Sequence, residues 1–187
     1  MKITETLYSK TRNEWRNWLK KNYKSEKEIW LVFQNKSSRK TGITYEVAVE
    51  EALCFGWIDS IVKKTEKDSR VQRFTPRKPK SSYSQLNKER LKRLLKKKKV
   101  VASVRKTLGD LENEKFNFPK DILDQIKMNK EAWKNFQNFS EAYKRIRIAF
   151  IDGGRQRPDV FLKRLNYFIK MTEKNKPYGI SGIEKYL

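Results

Sequence analysis

Histidine is absent from this chain and cysteine occurs once. Without an imidazole, neither a Ser-His-Asp nor a Cys-His relay can be assembled within one chain. Zinc sites built from Cys and His are excluded with them, and the lone Cys54 cannot close an internal disulfide. Glycine is sparse and scattered, seven residues in 187, and neither GxxxxGK[ST] nor GxGxxG is present. No apolar run approaches the ~18 residues that a membrane-spanning helix needs. The opening MKITETLYSKTRNEW lacks the apolar segment of a secretion signal. The expectation is a cytoplasmic protein with no transmembrane segment, no metal site and no cofactor. Any catalysis falls to Asp, Glu, Lys, Tyr or Cys54.

Negative charge is also scarce: 22 acidic residues stand against 45 basic ones, a net of +23. Residues 62–107 hold 18 Lys and Arg and only 3 acids, a local net of +15. Such a balance favours nucleic acid, anionic lipid or acidic partners. The plainer explanation is a composition rich in Lys, Asn and Ile, which puts lysine on every surface.

What is present has a readable order. Thr11-x-x-Glu14 is a capping box, and Trp15, Trp18, Leu19 and Tyr23 share one face of a helix over about 11–23. EIWLVFQ (28–34) is a compact strand, and NKSSRKTG a loop. Thr44 caps a second helix that ends near Gly56. WIDSIVKKT and RVQRFTP flank EKDS as a hairpin, closed by Pro76 and Pro79. Ser82 or Ser84 starts a helix carrying Leu86, Leu91, Leu94 and Leu95 into KKKK (96–99). From Pro119 the pattern is all-helical: Ile122, Leu123 and Ile126, then Ala132, Trp133 and Phe136. Ser140 caps the next helix, with Tyr143, Ile146, Phe150 and Ile151 on its face. Asp152-Gly153-Gly154 breaks that helix, and Pro158 opens the last one. The division expected is an α+β domain at 1–108, a linker at 109–118 and a helical domain at 119–187.

Three stretches draw chemical attention. In ALCFGWIDS (52–60), Cys54 lies at a helix C-terminus, where the dipole does not favour a thiolate. It reads as a buried small hydrophobe, and Trp30 and Trp57 read as core. Asp59, in a strand between apolar neighbours, needs a partner. Arg70, Arg73 or Arg77 on the adjoining arm can supply an ion pair; a ligand-contacting or acid/base role is the alternative. In RFTPRKPKSSYSQLN (73–87), Arg73, Thr75 and Arg77 alternate onto one side of a strand. A helix start follows, whose free amides favour anions. The expected anion pocket is lined by Arg73, Thr75, Arg77, Ser82, Tyr83 and Asn87, with Asp59 orienting an arginine; the plainer reading is a rigid capped loop. In RLKRLLKKKK, the basic face of Lys92, Arg93, Lys96, Lys97, Lys98 and Lys99 suits nucleic acid. A core helix with a solvated outer face explains it equally simply.

Trp15-x-x-Trp18-Leu19, Ile29-Trp30-Leu31, YEVAVEEALCFGWID (45–59) and RFTPRKPKSSYSQLNKERLKRL (73–94) together resemble the YdeI/OmpD-associated family, also called bacteriocin-protection proteins. Tyr143-x-Arg145 resembles the start of that family's terminal helical domain. Ser60 replaces a usual Gly and Tyr83 a usual Trp. RPDVFLKRL keeps an acid at Asp159 but lacks the Thr and Arg of a Glu-Thr-Arg motif. The resemblance implies a small YdhG-like α+β domain before a helical one, and a link to envelope stress, antimicrobial peptide resistance or porin association. Residues and resemblance together lead to a non-catalytic binding protein for an anionic ligand or acidic partner. A nucleic-acid-binding protein and a small enzyme using Asp59 are the alternatives.

Overall fold

The computed structural model describes residues 2–34, 42–65, 69–79 and 81–179. Most of the NKSSRKTG loop, the hairpin link at 66–68 and the tail from 180 lie outside the described residues. The architecture is α+β, and the chain divides into two compact units. The first is Met1–Ser82 with Arg90–Leu111, and the second is Tyr83–Glu89 with Glu112–Leu187.

The first unit is built on a four-stranded sheet of order β1-β2-β4-β3. Strand β2 (Ile29–Gln34) and the hairpin of β3 (Trp57–Lys64) and β4 (Ser69–Pro76) follow the apolar runs. The short β1 (Thr6–Tyr8), parallel to β2, was not foreseen, because three residues carry too little pattern to register. Helix α1 (Arg12–Asn22) starts at Thr11, whose hydroxyl accepts from the Glu14 amide, as the capping box requires. Helix α2 (Tyr45–Cys54) starts at Thr44 in the same way.

Indoles lock these layers together. The Trp15 ring nitrogen donates to the Ala48 carbonyl at 3.0 Å, and its ring meets Phe74 edge-on at 5.5 Å. Trp18 stacks on Trp15 and meets Trp57 edge-on, while the Trp57 ring nitrogen donates to the Tyr23 carbonyl. Each such side chain buries a large apolar area while its one polar atom keeps a partner.

ALCFGWIDS is the corner joining α2 to β3. Gly56 has φ +74°, and a Cβ there would meet Val104 Cγ2 at 3.0 Å, so the turn has room for glycine only. The carbonyls around it are all used: Cys54 O accepts from Val101 N and Gly56 O from Arg77 N. Helix α3 (Gln85–Lys96) contributes its first turn to the second unit and the rest to the first. A short helix, α4 (Ala102–Arg105), supplies the Val104 that backs the corner.

The second unit contains α5 (Lys120–Lys127), α6 (Lys130–Asn138), α7 (Glu141–Asp152) and α8 (Pro158–Glu173). Their core gathers Ile122, Ile126, Phe136, Ile148, Leu165 and Phe168, with Leu86 from the first turn of α3. Ser140 caps α7 and Pro158 opens α8, as the sequence indicates. Between them Gly154 permits a close approach: a Cβ there would lie 3.2 Å from Phe161 Cα. Helix α8 is thereby held hard against the end of α7.

Candidate functional site

The residues expected to form an anion pocket are distributed differently. Asp59, Arg73, Thr75, Arg77 and Ser82 belong to the first unit, Tyr83 and Asn87 to the second. Asp59 is not held by an arginine. Its Oδ2 accepts from the Tyr45 hydroxyl at 2.7 Å and from Gln72 Nε2 at 3.1 Å. The register explains this: Asp59 faces Phe74 across the hairpin, with Gln72 two residues along the same face. Arg73 and Thr75 alternate to the opposite face. Burial, and then the Asp59 carboxylate, push the Tyr45 hydroxyl well above the ordinary phenol range.

Arg73 and Thr75 do share a side, as the alternation requires, but Arg73 is engaged by Glu28, Nε to Oε2 at 2.6 Å. The Thr4 hydroxyl and then Arg73 hold the Glu28 carboxyl below the usual range. Arg77 lies past the end of β4, beyond Pro76. Its Nη2 donates to Ser81 O, Ser81 Oγ and Ser82 O at 3.2, 3.1 and 2.7 Å. It clamps its own loop rather than converging with Arg73. Asn87 is buried, and its amide donates to the Ser84 hydroxyl that begins α3.

On α3, Lys96, Lys97 and Lys98 are exposed, while Lys92 and Lys99 are half-buried. Arg93 turns inward to an ion pair with Glu50 and so leaves the basic face. Glu50 and its neighbour Glu51, both buried on α2, anchor a network the sequence did not announce. Glu51 holds Arg12 and Arg16, the latter at 2.5 Å, and Glu50 also meets Arg12 at 3.3 Å. The available signal was an acidic pair enclosed on both sides by apolar residues, in AVEEALCF. Cys54, one turn on, is fully buried, and its thiol pKa is pushed up to about 11, chiefly by burial.

The second unit holds a cavity of about 330 Å³. One wall is the first turn of α3, with Ser84, Gln85 and Leu86; another is α7, with Ile146, Ala149 and Phe150. Two arginines complete it, Arg147 of α7 and Arg164 of α8. Their guanidinium carbons lie 4.9 and 3.9 Å from the centre of the same Phe150 ring. Arg164 is oriented by donating from Nη1 to the Phe150 carbonyl at 2.6 Å.

Arg147 is 4% exposed, with its guanidinium 4.0 Å from the Tyr178 ring centre. Among the described residues, nothing accepts from its Nε or Nη2. Two residues earlier on the same helix, Arg145 uses that same Nε–Nη2 edge to hold both oxygens of Glu89, at 2.7 and 3.0 Å. One arginine fork thus grips a carboxylate while its neighbour offers the identical edge with no carboxylate on it.

Tyr178 is fixed beside Arg147 by the Tyr143 hydroxyl, which donates to Tyr178 O and accepts from Tyr178 N. Burial raises the Tyr178 hydroxyl's pKa, and the Arg147 cation opposes that rise. Arg147 and Arg164 were absent from the sequence-based site. The signal lay in helical spacing: Tyr143, Arg147, Phe150 and Ile151 fall on one face, and an arginine in an apolar stripe needs an anion.

Fold and site define the class: an α+β unit followed by a helical unit with a cationic, largely apolar-walled pocket. By its match over residues 7–107, more than half its length, the chain belongs to the family described as "Domain of unknown function (DUF8412)". Residues 115–175 match the family described as "Bacteriocin-protection, YdeI or OmpD-Associated". The resemblance to that second family is therefore carried by the C-terminal helices. The motifs ALCFGWID and RFTPRKPKSSYSQLN lie within the first match. No curated protein and no solved structure matches the chain.

Proposed function

We propose that this is a non-catalytic binding protein for an anionic ligand, and that the ligand sits in the cavity between α3, α7 and α8. The observation carrying this reading is the Arg147 guanidinium, buried at 4% exposure, with Nε and Nη2 lacking acceptors among the described residues. A buried ionic group left unsatisfied costs on the order of 1–3 kcal/mol or more, so holding it there without an anion is unfavourable. Arg164 and the first-turn amides of the twelve-residue α3 add positive potential to the same cavity. The binding role is favoured over catalysis because Asp59 is spent on Tyr45 and Gln72 and Cys54 is a buried neutral thiol. A cytoplasmic location, with its single cysteine, is part of the proposal. The link to envelope stress or antimicrobial peptide resistance rests on the family description alone.

The test is a titration of ¹⁵N-labelled protein with sodium acetate and sodium sulfate, following the arginine Nε–H resonances. The wild type is expected to respond at Arg147. In Arg147→Lys, which keeps the charge but loses the planar fork, affinity is expected to fall about ten-fold or more. Arg77→Lys is expected to bind like wild type. If Arg77→Lys loses binding and Arg147→Lys keeps it, the ligand belongs to the 73–82 loop and the present assignment is wrong.

A further inference from the structure

Resting on the pocket reading above, we infer the ligand class: a carboxylate carried on an apolar body about the size of one ring. Three features of the cavity select it.

The first is the shape of the cationic edge. The free edge of Arg147 is Nε–Nη2, two nearly parallel N–H bonds in one plane. On Arg145 that edge already holds a carboxylate in two-point contact. A planar two-oxygen anion repeats that geometry.

The second is the wall. Leu86, Ile146, Ala149 and Phe150 give the cavity an apolar lining beside the charged edge. An inorganic anion would leave those side chains without contacts, whereas a hydrocarbon body removes them from water. Phe150 is 45% exposed, so an apolar body has a ring face or edge to cover.

The third is volume. An apolar cavity of roughly 150 Å³ admits benzene, and this one is about 330 Å³. It has room for one ring, or a branched chain of similar bulk, with a short arm ending in the carboxylate. A bare phosphate or formate underfills it. A nucleotide or a long-chain lipid does not fit within it.

The experiment compares phenylacetate and cyclohexanecarboxylate with acetate, phenylacetamide, AMP and palmitate. Each is titrated into the full chain and followed at the Arg147 Nε–H and at the amides of Ile146, Ala149 and Phe150. The cyclic acids are expected to bind at least about ten-fold more tightly than acetate, because they bury apolar area as well as pairing the charge. Phenylacetamide, which has the ring without the charge, is expected to give no saturating shift. In Phe150→Ala, acetate affinity is expected to persist while the preference for the cyclic acids shrinks toward unity.

Equal affinities for acetate and phenylacetate would overturn the ligand class but leave the anion site standing. AMP or palmitate binding more tightly than phenylacetate would do the same. If no anion in the series, acetate included, shifts the Arg147 resonance, the class and the pocket reading both fall.

Discussion

At the scale of single residues, environment decides which reactive groups are available. Cys54 has the chemistry of a nucleophile but no exposed surface, and burial raises its pKa from 9.0 to about 11. Because the folded-state value lies above the unfolded one, the neutral thiol favours folding. That contribution is complete below pH 9 and is lost as pH rises from 9 toward 11, where the unfolded chain ionises first. Wild-type stability is therefore expected to fall across that window in chemical denaturation, and Cys54→Ala to show a flatter profile between pH 9 and 10. The thiol is also expected to resist a disulfide reagent at neutral pH in the folded protein. Rapid labelling there would place the sulfur at the surface. That the cysteine is inert was legible from its place at a helix C-terminus among apolar neighbours. The fate of Asp59 was not: an ion pair and a tyrosine–glutamine cradle need the same carboxylate in the same strand. Only the hairpin register, with a bulge between Asp59 and Val62, decides that Gln72 rather than Arg73 faces it.

At the scale of elements, caps and breaks were the most readable features. Thr11, Thr44, Ser140 and Pro158 open helices where the sequence indicates, since those signals are local. What escaped was the use of helix faces: Glu50, Glu51 and Arg147 all point into protein, and each needs a partner from a distant stretch. The end of α3 is a further instance. Lys99 N donates to Leu94 O and Lys98 N to Leu95 O, a Schellman closure with Lys98 in the left-handed region at φ 53°. Helix α8 closes the same way with Asn175 at φ 49°, a residue that tolerates this conformation better. Lysine there costs on the order of 1 kcal/mol relative to glycine, partly offset by glycine's greater freedom in the unfolded chain. Lys98→Gly is thus expected to stabilise the first unit by about 0.5–1 kcal/mol in a urea titration. Lys98→Ala separates the causes, because it removes the charge but keeps the Cβ. If alanine stabilises as much as glycine, the gain comes from relieving repulsion within Lys96–Lys99 and not from the backbone.

At the scale of the whole molecule, the net charge of +23 sets a balance between short-range pairing and long-range repulsion. The pairs made by Glu50 and Glu51 are buried on the acid side, so salt screens them little. The exposed lysines, among them Lys96, Lys97 and Lys98, repel one another through water, where salt screens strongly. The screening length falls from about 30 Å at 0.01 M salt to about 8 Å at 0.15 M. Raising sodium chloride from 0.02 to 0.3 M, on the order of one to two such steps, is therefore expected to raise the unfolding temperature measured by calorimetry. An unchanged or falling temperature would mean that surface ion pairs outweigh the repulsion. Acetate at matched ionic strength refines the measurement, since it screens like chloride but can also occupy the Arg147 fork. An extra increment in acetate, present in wild type and absent in Arg147→Lys, would be ligand-linked stabilisation, which grows with the logarithm of ligand concentration beyond its Kd. General screening instead saturates once the Debye length is shorter than the spacing of the charges. The two contributions therefore separate by the shape of the salt curve as well as by the variant: a plateau belongs to the surface lysines, and a continuing rise to the pocket.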